Sequence, residues 1–163
     1  MMADVAWNTD EAEQVNAWTG HYPALNTFDY MHIRYSGENW IDYSDISPVT
    51  NWANAGGIVS CMWHWNVPKN TDSNIDDYTA TLSETVFNAQ KATEEGTWEN
   101  GIVKADLETV ANMLKQLKEA KIPVLWRPLH EAAGQFFWWG KDAESFKALW
   151  KMMFTYFKEQ GLD

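Results

Sequence analysis

The chain has 163 residues, a length that suits one ordinary domain, and sets 12 Lys and Arg against 23 Asp and Glu for a formal net charge of −11. That charge argues against two classes of partner: nucleic acid, whose binders need a positive face to displace counterions, and an anionic membrane surface. Hydrophobic residues at 45% and charged residues at 21% support a buried core, and the lone Cys61 leaves no intrachain disulfide or multi-cysteine metal site. In chain order, residues 10–19 read as a helix. Asp10 stands three residues before Glu13 in a capping-box arrangement, Val15 and Trp18 form the inward face, and Gly20 ends it. Pro23 to Met31 reads as a strand with polar residues toward its far end. Residues 36–50 are loop, and Asn51 to Ala55 a short helix. Gly56-Gly57 breaks the chain before Ile58 to Trp65, a nearly continuous apolar run expected of a strand buried on both faces. Residues 66–101 are a long polar connection with a weak helix near 83–92; connections of this length are usually functional. Val103, Leu107, Val110, Ala111, Leu114 and Leu117 recur at helical spacing up to about Ala120. Pro123 to Glu131 is the next strand. Phe146, Leu149, Trp150, Met153, Phe154 and Phe157 then give the strongest amphipathic helix, with Gly161 as its C-cap.

Strands alternating with helices, with reactive side chains at the strand C-termini, are the pattern of a parallel α/β fold. A (β/α)8 barrel carries its chemistry at that end. A doubly wound sheet would favour a glycine-rich phosphate turn, and neither G-x-G-x-x-G nor G-x-x-x-x-G-K-[ST] occurs. No apolar run reaches the ~18 residues of a membrane helix. The opening Met-Met-Ala-Asp lacks the basic start and apolar core of a signal peptide.

The chain holds 11 Trp, 6 Tyr and 7 Phe. Such a content serves either a large aromatic core or a groove whose indole faces stack on flat ligands such as sugar rings. At the end of the 123–131 strand, period-2 alternation puts Leu125, Arg127, Leu129 and Glu131 on one side, with Glu131 at the rim. Pro128 cannot donate to a ladder and implies a bulge or an unpaired edge. Among Phe136, Phe137, Trp138 and Trp139, Glu131 is expected in a partly desolvated pocket that raises its pKa, as a general acid requires. The competing reading is a structural pair with Arg127. Trp63 and Trp65 share a face, while His64 points the other way, either toward a sugar hydroxyl or into a structural hydrogen bond. His64 and His130 lack the H-x-x-x-H or H-E-x-x-H spacing that sets two imidazoles on one helix face, and no metal is expected. There is no G-x-S-x-G elbow.

Arg127-Pro128-Leu129-His130-Glu131, then Gly134 and Phe136-Phe137-Trp138-Trp139-Gly140, resembles the acid/base segment of glycoside hydrolase family 26. Trp63-His64-Trp65-Asn66 resembles the end of its preceding strand. Ala6-Trp7-Asn8, Gly20-His21-Tyr22-Pro23 and Phe28-Asp29-Tyr30 resemble its opening region. Most members are endo-β-1,4-mannanases. The resemblance implies a (β/α)8 barrel that hydrolyses β-mannan or manno-oligosaccharide with retention and without a cofactor. It implies Glu131 as acid/base and His130 at the cleavage subsite. It also implies His64, Trp65, Phe136, Phe137, Trp138 and Trp139 around neighbouring sugars, with Arg127 in support.

The resemblance ends with the family's fourth strand and its helix, residues 142–160, and little strand precedes Ala6. Residues 1–163 therefore read as the N-terminal half of the catalytic domain, about the first four β/α units of a barrel that typically takes ~250 residues. The family's nucleophile, a Glu on a later strand, matches no residue here. A retaining glycosidase needs two carboxyl groups ~5–5.5 Å apart, and Glu131 supplies one. Open sheet edges are expected to drive self-association or pairing with a C-terminal half. The family is usually exported, which implies a secreted, periplasmic or cell-surface location. Two other readings compete. One is a non-catalytic mannan- or β-glucan-binding fragment; the other is a structural α/β domain, which requires Trp63, Trp65, Trp138 and Trp139 to be buried.

Overall fold

The computed structural model describes residues 7–33, 41–74 and 77–162. In chain order it contains α1 (Asp10–Thr19), β1 (Leu25–Asp29), α2 (Ser47–Asn54), β2 (Ile58–Trp63), β3 (Val67–Pro68) and β4 (Tyr78–Thr79). It continues through α3 (Trp98–Glu119), β5 (Val124–Pro128) and α4 (Ala143–Glu159). The main sheet is β1-β2-β5, parallel throughout, with Leu25 to Asp29 opposite Ile58 to Met62 and Val59 to Trp63 opposite Val124 to Pro128. These are three strand–helix units of a partial (β/α) barrel, led in by α1. The clipped opening strand expected before Ala6 lies outside the described residues.

The register divides the sheet into two faces. Phe28, Val59, Cys61 and Trp63 point to one side and are buried beneath the helices, with Val124 and Trp126 half-buried beside them. Leu25, Thr27, Ile58, Leu125 and Arg127 point to the other side and are exposed. In a closed barrel this second face would be the lumen. Pro128 ends β5 opposite Trp63, on the outer strand of this sheet, a position that tolerates a residue without an N–H.

Helix positions follow local chemistry. In α3, Thr97 caps the N-terminus by accepting the Asn100 N–H at 3.1 Å, and the apolar stripe from Val103 to Leu117 is buried. In α4, Asp142 accepts the Ser145 N–H at 2.9 Å, and Leu149, Met153 and Phe157 face inward. The α2 helix begins at Ser47 rather than Asn51, because Pro48 suits a first turn. The α1 helix departs further from expectation. Ala12 is its buried residue, whereas Trp18 is 76% exposed, since no described element covers that flank. Its cap position is Thr9, and Asp10, Glu11 and Glu13 instead load the first turn with negative charge that the helix dipole favours.

The 66–101 connection contains no α-helix near 83–92. Thr85 is extended, and its hydroxyl donates to the Pro68 carbonyl at 2.6 Å. Two short 3-10 turns and the antiparallel β3–β4 pair shape the segment, which drives Phe87, Ala89 and Ala92 into the core.

Candidate active site

Three strand C-termini converge on one polar cluster. Asp29 ends β1 and is almost fully buried. One of its carboxylate oxygens accepts the backbone N–H of His64 at 3.1 Å, and the other takes the His64 Nδ1. The Tyr43 hydroxyl donates to the Asp29 carbonyl at 3.0 Å and accepts the His32 N–H at 3.1 Å, which fixes the end of the strand. His64, just past β2, turns its Nε2 to within 3.0 Å of the Nε2 of His130, just past β5. Both residues are more than nine-tenths buried, and their rings meet edge to face at 4.3 Å, flanked by Phe137. The His130 pKa is pushed down to about 4, first by burial and then by His64 and Arg127, so this ring is neutral at pH 7. Its Nδ1 is buried without a partner among the described residues.

Sequence spacing holds the two histidines apart; the parallel register brings them together. Asp29 and Tyr43 were not among the expected site residues. The signal available for Asp29 was a polar residue at the far end of an apolar strand. Among the described residues no group of three His, Cys, Asp or Glu side chains is placed to hold a metal ion.

Glu131 stands in the turn beyond His130 and is exposed. The alternation expected through Leu129 and Glu131 stops at Pro128, because both residues adopt left-handed backbone at φ 49° and 53°. Non-glycine residues held there cost ~1–3 kcal/mol each, a strain that clusters at functional sites. The expected desolvated aromatic pocket is not closed around Glu131, since the lumen face has no opposite wall among the described residues. Arg127 does not pair with Glu131. It lies on the open face, with a guanidinium N–H directed at the Met62 sulfur at 3.6 Å.

The aromatic residues divide sharply. Phe136 is 66% exposed, and Phe137 is half-buried, stacked on Trp139 at 4.4 Å. Trp65, Trp138 and Trp139 are completely buried, as is Trp63, stacked on Trp65 at 4.0 Å. The expectation that Trp65, Trp138 and Trp139 line sugar subsites is corrected here. Their ring faces are covered by protein, and additional chain can only cover them further. Their burial meets the condition set for the structural reading, yet the Trp139 and Trp138 indole N–H groups fix the backbone at His130 and beside His64. Trp139 donates to the His130 carbonyl at 2.9 Å, Trp138 to the Trp65 carbonyl at 2.7 Å, and Trp65 to Asp106 at 2.8 Å.

Parallel strand–helix units with two histidines and a carboxylate at the C-terminal mouth define a partial (β/α) barrel. The sequence pattern of Glycosyl hydrolase family 26 matches residues 2–162. Mannan endo-1,4-beta-mannosidase B of Piromyces sp is 34% identical over 141 residues, covering 83% of this chain and 24% of that protein. Mannan endo-1,4-beta-mannosidase of Thermothelomyces thermophilus is 35% identical, covering 93% of this chain and 32% of that protein. Among solved structures, the GH26 domain of an endo-beta-mannanase/endo-beta-glucanase from Prevotella bryantii superposes with a TM-score of 0.90 at 45% identity. That match covers 99% of this chain and 54% of the solved one. A beta-mannanase from a symbiotic protist of the termite Reticulitermes speratus, complexed with gluco-manno-oligosaccharide, matches with a TM-score of 0.79 at 40% identity, covering 94% and 49%. The chain belongs to glycosyl hydrolase family 26, and it spans about half the length of these solved chains and a third or less of these curated relatives.

Proposed function

We propose that this chain carries the acid/base half of a retaining endo-β-1,4-mannanase, with Glu131 as the acid/base. The observation that carries the reading is the position of Glu131. It is an accessible carboxyl at the mouth of a parallel sheet, directly after a buried neutral imidazole that His64, Asp29 and the Trp139 N–H hold in place. The names of the relatives point to mannan as the polymer.

In this reading Glu131 gives its proton to the glycosidic oxygen as the bond to the anomeric carbon breaks. A second carboxylate ~5–5.5 Å away, from strands beyond those described, forms the covalent glycosyl intermediate. Glu131, now ionised, then takes a proton from the water that releases the sugar. The strands that complete the barrel supply the wall that Glu131 lacks here, and closing that wall takes water away from the reacting bond. His64 and His130 form the polar floor of the cleavage subsite, and Phe136 with Phe137 offers the aromatic surface. Pairing through the open sheet edges, with completing strand–helix units or with a second copy, belongs to the same proposal, as does action outside the cell on an insoluble polymer. Among the described residues no helix is long and apolar enough to cross a membrane.

The test joins this chain to the strand–helix units that complete the barrel and compares it with its Glu131→Ala variant. Turnover of mannan is expected to fall at least ~10²–10⁴-fold while mannan binding persists. Full activity in the variant overturns the assignment.

A further inference from the structure

We infer that Asp29 is a positioning residue: through His64 it sets the direction of the proton chain that ends on His130, the imidazole next to the acid/base. The catalytic consequence rests on the function proposed above for Glu131; the proton order itself does not.

Ionised Asp29 is acceptor-only, so the proton between it and His64 must sit on the His64 Nδ1. A neutral ring carries one N–H, and with that proton on Nδ1 the His64 Nε2 is bare. Two bare nitrogens 3.0 Å apart would repel, so the proton between the rings belongs to the His130 Nε2. The His130 Nδ1 is then a lone pair, and this is the buried atom without a partner. A lone acceptor left unpaired is tolerated more readily than an orphaned N–H. The second Asp29 oxygen, held by the His64 backbone N–H, prevents the carboxylate from turning away. The charged and titratable neighbours among the described residues are few. His32, Tyr43 and Cys61 surround Asp29, while Arg127 and Glu131 face His130 from β5 and its turn.

Asp29→Asn inverts the chain at constant volume. The amide oxygen still accepts the backbone N–H, but the amide nitrogen now donates to the His64 Nδ1. The proton on His64 moves to Nε2, which donates to the His130 Nε2, and His130 is driven to the Nδ1–H form. One buried substitution thus changes the tautomer of two rings, the second of which it does not touch.

Two-bond 1H–15N correlation spectra of this chain at pH 7.5, assigned with His64→Gln and His130→Gln, read the tautomers directly. The parent is expected to show His64 protonated at Nδ1 and His130 at Nε2, and Asp29→Asn the reverse for both. An imidazolium at position 64 in the parent, or the opposite order, overturns the inference without any need for the variant to fold. So do unchanged tautomers in a folded variant. In the protein with a completed barrel, Asp29→Asn is expected to lower kcat about 10–100-fold, the size of loss that follows removal of the outer partner of a metal-bound histidine, with KM nearly unchanged and the pH profile of kcat displaced. If Glu131→Ala removes turnover but Asp29→Asn leaves kcat and its pH profile intact, the positioning role fails and the acid/base assignment stands. If Glu131→Ala keeps turnover, the acid/base assignment fails and the spectra still decide the proton order.

Discussion

At the scale of single residues, His130 shows how the fold gives its candidate site a pH dependence. Burial, His64 and Arg127 together lower its pKa to about 4, against the opposing pull of Asp29 and Glu131. In the unfolded chain the ring titrates near its ordinary value of about 6.5. Between these limits the unfolded chain binds a proton that the folded chain refuses, so acid favours unfolding. The stability that neutral His130 contributes is complete above about pH 6.5 and is lost as pH falls toward about 4, on the order of 1–3 kcal/mol. Urea unfolding of the parent and of His130→Gln at pH 7.0, 5.5 and 4.5 isolates this contribution from the carboxylates common to both. The parent is expected to lose more stability on acidification than the variant, whereas parallel losses would show that His130 carries none of it.

At the scale of elements, the turn after β5 depends on the helix-side core. Leu129, Glu131 and Gln135 all hold left-handed backbone without being glycine, so surrounding contacts must impose the conformation. The Trp139 indole N–H on the His130 carbonyl is one such contact, and the stack of Phe137 on Trp139 is another. Trp139→Phe keeps an aromatic ring but strands a buried carbonyl, which costs ~1–3 kcal/mol. The expected result is a loss of that size in urea unfolding, together with faster amide exchange over 129–135 than over α4. Unchanged exchange in the turn would mean that Trp139 only fills space. The same segment marks where the sequence stops being legible. The apolar stripes of α3 and α4 and the glycine break before β2 could be read because period and punctuation are local properties. The turn around Glu131 was legible as a motif, but its backbone was not, because left-handed strain is imposed by partners distant in the chain. Eleven tryptophans could have served a core or a groove. Only tertiary packing showed that Trp63, Trp65, Trp138 and Trp139 belong to the core and act on the site through their N–H groups or their bulk.

For the molecule as a whole, exposed apolar side chains lie on the surfaces that a closed barrel would cover. Leu25, Ile58 and Leu125 line the uncovered lumen face, Trp18 stands out from α1, and Trp150 and Phe154 stand out from α4. On the β5 side, the Trp126 indole N–H is buried without a partner, beside a cavity of about 370 Å³ lined by Ile122, Phe157 and Leu162. Unsatisfied polar groups and large apolar patches are both costly in water, and both are relieved by packing another strand–helix unit against them. The partial barrel was legible from the run of elements. The location of its unfinished surfaces was not, since an amphipathic stripe does not say which neighbour it awaits. If these surfaces await partners, the chain alone at neutral pH associates with itself as concentration rises, despite the repulsion of its net charge of −11. Sedimentation equilibrium is expected to show mass growing with concentration. Phe154→Glu, which places a charge on the α4 flank without touching the core, is expected to weaken that association at least severalfold while leaving the circular dichroism unchanged. A folded chain that stays monomeric at every concentration would show that these flanks are settled surfaces rather than half of an interface.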